Sequence, residues 1–101
     1  MKINNEKLGF SFDLPDQLTV RQQLQYRGRM GVGLYRDNPD MYLDMWKAAL
    51  SLIENWECEQ SPDPNALDLD TVTDVKIADI VAAVGMDVFL HTRKQEEVEK
   101  N

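Results

Sequence analysis

Hydrophobic positions change their spacing along the chain, and each spacing predicts a different element. Leu8, Phe10, Phe12 and Leu14 alternate with Gly9, Ser11 and Asp13, the period of a half-buried strand. Lys2-Ile3 supplies a second strand, paired back through a turn at Asn4-Asn5-Glu6-Lys7, where asparagine tolerates positive φ. Pro15 has no N–H for a ladder and ends the second strand. A lone hairpin is marginal in water, so its apolar face must lie on helices.

From there the period lengthens. Thr19-Val20-Arg21-Gln22 has the form of a capping box, the Thr hydroxyl on the third amide and the Gln reaching back. It opens a first helix, with Leu24 assigned to the core, and Gly28, Gly31 and Gly33 loosen the chain at and beyond its end. Asn38-Pro39-Asp40 reads as a second start: Asn as cap, Pro at the first helical position, Asp near the positive end of the dipole. Tyr42, Met45, Trp46, Ala49, Ile53 and Trp56 then recur at three- and four-residue steps, an amphipathic helix that buries both tryptophans.

The segment EQSPDPNALDLDTVTD has two prolines and no lasting period, so it is a loop, with Thr71 or Thr73 capping the third helix. In that helix Ile77, Ile80, Val81, Val84 and Val88 form one stripe, which Ala78, Ala82, Gly85 and Phe89 widen. An arc this wide predicts a central helix contacted from two sides, its small residues letting a neighbour approach closely. RKQEEVEK turns polar and reads as a fraying end. The expected fold is therefore mainly α: a three-helix core over about 20–30, 39–57 and 73–95, with an N-terminal β-hairpin over about 2–14. The expected organisation is a single domain over 1–101, comprising hairpin 1–15, helical body 18–95 and polar tail 96–101.

Composition narrows the class without naming an activity. Hydrophobic residues at 43% and charged residues at 29% suit a globular chain. No apolar run approaches the ~20 residues of a membrane span, and MKINNEKLG lacks the apolar region of a secretory signal. One cysteine, Cys58, permits no internal disulfide and suits a reducing compartment. The net charge of −7 is unevenly spread: residues 37–74 hold ten acids and one base, whereas 1–36 hold six bases and three acids. Such a chain repels nucleic acid and anionic lipid overall, except through a local contact at its arginines.

Candidate chemistry is sparse. Cys58 and His91 are the only thiol and imidazole, and no local signature makes them a nucleophilic pair. Two such residues cannot alone hold zinc. Counted from Asp63 as a calcium loop, the sixth position is Asp68 where a glycine is needed for the sharp turn. GRMGVG, followed by Leu34-Tyr35-Arg36, is an incomplete dinucleotide fingerprint. No catalytic residue, cofactor or metal is expected.

Three blocks together carry a resemblance: FDLPDQLTVRQQLQY, then YLDMWKAALSLIENWEC, then TDVKIADIVAAVGMDVF. In this order and spacing the chain resembles the small tail assembly chaperones of bacteriophages with long, non-contractile tails. The likeness spans nearly the whole chain and lies in helix placement, the tryptophans and the Leu-Pro…Leu-Thr corner. It implies a mostly helical, non-enzymatic protein of the infected bacterial cytoplasm. The implied partner is the long tape measure protein, kept soluble until tail tube subunits polymerise around it. The tail tube protein is a second implied partner, and self-association is left open.

Such a role needs repeated weak apolar contacts on a partner helix and enough charge to keep the complex dispersed. Residues left over from the core stripes are the candidates for the contacts: Leu34, Tyr35, Met41, Leu43 and Leu52. Arg21, Arg27, Arg29 and Arg36 can grip an acidic partner, or else offset the chain's own acids. Two other functions compete. One is a virion component, such as a tail completion or head–tail connector protein. The other is an acidic DNA mimic that inhibits a host defence nuclease.

Overall fold

A computed structural model describes the backbone over residues 1–30 and 39–100 and the side chains over 1–30 and 39–93. The element order is β1 (Lys2–Asn5), β2 (Phe10–Asp13), α1 (Val20–Met30), α2 (Met41–Leu50), β3 (Glu54–Cys58), a 3-10 turn at Pro64–Ala66, and α3 (Val75–Lys100). The strands form one antiparallel sheet ordered β1-β2-β3. With 51% helix, 15% strand and this sheet, the chain is an α+β protein, which overturns the mainly α expectation.

The hairpin forms as its alternation requires, with Ile3 opposite Phe12 and Asn5 opposite Phe10. Its turn sits two residues later than expected. Asn5 accepts at its side chain from the Leu8 N–H (2.9 Å) and at its carbonyl from the Gly9 N–H (2.8 Å). Gly9 closes the turn at φ +77, a conformation that costs a residue with a Cβ. The α-ammonium of Met1 donates to Leu14 (2.7 Å) and Asp16 (2.9 Å), and that hydrogen bond holds the Asp16 carboxyl below the usual range.

The capping box is present in both directions. The Gln22 N–H donates to Thr19 Oγ1 (3.2 Å) and the Thr19 N–H to Gln22 Oε1 (3.0 Å). Helix α1 matches its expected span. The second helix does not: it begins after Asp40, later than its expected cap, and ends at Leu50 rather than near Cys58. Ser51 terminates it, with Oγ donating to the Ala48 carbonyl at 2.5 Å. Asn38, the expected cap, lies outside the described residues.

Beyond α2 the chain forms the strand β3, where a helical continuation was expected. Phe10 pairs with Cys58 and Ser11 with Glu57, but Asp13 pairs with Glu54, so β3 carries one extra residue. Asn55 absorbs that bulge at φ 53 and donates through Nδ2 to Asp13 at 2.8 Å. Asparagine is among the few residues that take this conformation cheaply. The strand wins because it pairs the open edge of β2 and turns Trp56 onto the sheet's apolar face. There Phe10, Phe12 and Trp56 stack at 5.9–6.1 Å, and Trp46 of α2 meets Trp56 edge-on at 6.2 Å. The Trp56 indole N–H donates to the Ser61 carbonyl (2.6 Å), pinning the adjoining loop to the strand.

Helix α2, not α3, lies between the other helices, in extensive contact with both. Its Ala48 and Ala49 are fully buried and thin enough to be flanked on each side. Against it α3 buries Ile77, Ile80, Val81, Val84 and Val88, the expected stripe. A Cβ on Gly85 would stand 3.0 Å from the Met45 Cβ and 3.4 Å from α2 backbone atoms. The expected close approach through a small residue is therefore met at Gly85. The cap of α3 is Asp74 rather than Thr71 or Thr73: its Oδ1 accepts from the Lys76 N–H at 2.9 Å. The helix backbone continues to Lys100, through the polar stretch expected to fray.

Candidate protein-binding groove

The first turns of α2 and α3 and the loop before α3 border an opening at the surface. The opening is a groove of about 420 Å³. Tyr42 and Leu43 form one wall, Leu69, Val72 and Thr73 of the preceding loop another, and Val75, Ile77, Ala78, Val81 and Ala82 of α3 the floor. Tyr42 is 50% exposed, Leu43 40%, Val72 39% and Val75 74%, so the lining is apolar surface in contact with water. Grouped exposure of this kind marks interaction sites more often than single exposed side chains do.

The rim is acidic on balance. Among the described residues Asp74 is the one charged side chain in the lining, and Asp68, Asp70 and Asp79, with one base, Lys76, adjoin lining residues in sequence and are exposed. Three of the loop's acids also shape it. Asp63, Asp68 and Asp74 each accept at Oδ1 from the N–H two residues on, at 2.9–3.1 Å, the Asx-turn geometry that lets a polar loop run without a ladder. Their arrangement is accounted for by loop folding, and the missing calcium-loop glycine fits that.

Of the residues expected to meet a partner, Leu43 lines the groove. Met41 is half-buried against the core. Leu52 is only 4% exposed and is a core residue, which removes it from the candidates. Leu34, Tyr35 and Arg36 lie outside the described residues. Arg21, Arg27 and Arg29 are exposed on α1. Leu24, assigned to the core from sequence, is 61% exposed on the same helix. Sequence reasoning also placed Tyr42 in the core and passed over Val72 and Val75. A β-branched residue at each end of a helix cap, Val72 before and Val75 after, was the available signal.

The thiol and imidazole stand in different settings. Cys58 is buried on β3, its Sγ 3.7 Å from Gln60 Oε1. His91 Nε2 lies 3.1 Å from the Pro15 carbonyl, where α3 meets the strand-to-helix corner. Among the described residues no group of three or more His, Cys, Asp and Glu side chains is placed to hold a metal. Nor is any helix among them long and apolar enough to cross a membrane. Neither a family model, nor a curated protein, nor a solved structure matches this chain.

Proposed function

We propose that this protein is a non-catalytic tail assembly chaperone of a long-tailed bacteriophage, which shields apolar segments of the tape measure protein in the infected cell. The observation that carries the reading is the exposed apolar groove between α2 and α3, set on an acidic body. A groove open along two helices suits an amphipathic partner helix, held by apolar side chains at i, i+3, i+4 and i+7. The surrounding carboxylates keep a loaded complex dispersed. The resemblance of the three sequence blocks supplies the phage context. The DNA-mimic reading draws less support, because Asp63, Asp68 and Asp74 each commit one carboxylate oxygen to the loop's own amides.

The test is co-expression with a candidate tape measure protein, sought as a long coiled-coil-like reading frame neighbouring the gene. The partner stays soluble with the wild-type chain and pellets with Leu43→Glu, and purified virions lack the chaperone by mass spectrometry. A partner that remains insoluble with the wild-type chain contradicts the reading, and recovery of the chain from virions favours a structural subunit.

A further inference from the structure

Among the described residues, helix α1 has an outer face left exposed to solvent. Val20 is 72% exposed and Leu24 61%, one helical turn apart, and Gly28 continues the same line at the next turn. Arg21 and Arg27 flank this ridge, and both are exposed. The helix carries no acid at all. Gly28 is the unexplained member. A glycine inside a helix is destabilising relative to alanine, yet a Cβ built there meets nothing within 4 Å. No contact within the described fold requires it.

The ridge and the groove are complementary in shape class and in charge. One is a convex apolar line bordered by arginines; the other is a concave apolar slot bordered by Asp74 and its neighbouring carboxylates. In or beside the groove lining stand four exposed acids, Asp68, Asp70, Asp74 and Asp79, and one base, Lys76, against three bases and no acid over 20–30. They share no residue, so one molecule can present both at once. We infer that the α1 ridge of one copy seats in the α2/α3 groove of another, joining copies head-to-tail. The flat Gly28 lets the docked helix sit close to Ala78 and Ala82. Because such a contact is heterologous, each copy keeps one free ridge and one free groove, and assembly runs on to a ring or an open chain. A partner helix entering the groove would displace the neighbour's α1. The inference does not depend on what that partner is.

Sedimentation velocity on the purified full chain tests it, from about 10 μM to about 1 mM, the range in which weak contacts appear. The wild-type weight-average mass rises beyond a dimer with concentration and falls as salt is raised from about 50 to about 500 mM. Leu24→Glu (ridge) and Val75→Glu (groove) are each monomeric alone. Mixed, they form a heterodimer and stop there, since one intact ridge meets one intact groove. Both positions are exposed, and Arg21→Glu provides a second ridge variant that leaves the apolar residues intact. Gly28→Ala raises the Tm by roughly 3–8 °C and weakens association at least tenfold. A wild-type chain monomeric throughout the range overturns the inference. So does a symmetric dimer untouched by Leu24→Glu, or a mixture of the two variants that remains monomeric. The assay contains no tape measure protein, so its failure leaves the chaperone reading standing.

Discussion

Two apolar regions of this molecule are built from the same kinds of residue and end in opposite states. At the sheet, Phe10, Phe12 and Trp56 stack beneath Trp46, and the indole N–H is satisfied by the Ser61 carbonyl. At the groove, Tyr42, Leu43, Val72 and Val75 are exposed around a floor that includes Ala78 and Ala82. Along α3 the stripe of Ile77, Ile80, Val81, Val84 and Val88 is buried and the helix closes to contact with α2 at Gly85, while the adjoining face of its first turns presents Ala78 and Ala82 beside the groove. The closed region is filled by its own side chains, and the open one is apolar surface exposed to solvent.

That contrast is broken most severely at the closed end. Trp46→Ala and Phe12→Ala should each cost about 3–5 kcal/mol, a large share of a small domain's stability, visible as loss of the cooperative urea transition. Trp56→Ala additionally leaves the Ser61 carbonyl without its donor. At the helix crossing, Gly85→Ala pushes a methyl against Met45 and should cost about 1–3 kcal/mol by chemical denaturation. Its gain in helix propensity offsets only part of this.

The groove should respond differently. Leu43→Ser and Val75→Ser remove exposed carbon, so their stability change should stay within about 0.5 kcal/mol, while affinity for a helical partner falls at least tenfold. Comparable losses of stability and binding would mean that the groove belongs to the core.

The smallest effect concerns Asp87, on the flank of α3, whose pKa is raised by burial. Its folded form holds the proton more tightly than the unfolded chain does, so this group opposes folding where it is ionised. The penalty is relieved as pH falls through the raised folded value. Asp87→Asn should therefore raise the Tm near neutral pH. That advantage should shrink on acidification and vanish below the ordinary aspartate value of 3.8.

How far the sequence foretold this obeys the same division. Local signals were legible: the alternation of Phe10 and Phe12, the Thr19–Gln22 box, the valine stripe of α3 and the close approach at Gly85. The failures arose where a tertiary contact decided between two periods. Trp56 stands four residues from Leu52 and three from Ile53, which fits a helix, and two from Cys58, which fits a strand. The unpaired edge of β2 settled the matter, and no window around Trp56 contains that edge. Leu24 and Tyr42 failed for a related reason. Each sits on a helical apolar stripe, but apolar spacing alone cannot say whether another element exists to cover it. The groove was half legible, through Leu43, because its other walls come from a loop and a helix distant in the chain.

The most direct test of the claim that the open region is the binding surface is methyl chemical-shift mapping on the full chain. The probe is an amphipathic helical segment of the proposed tape measure partner, added stepwise. Shifts concentrated at Leu43, Leu69, Val72 and Val75, with Ile80, Val84 and Val88 unmoved, are the expected result. Saturable shifts centred on any other surface, with the groove methyls unchanged, would contradict it.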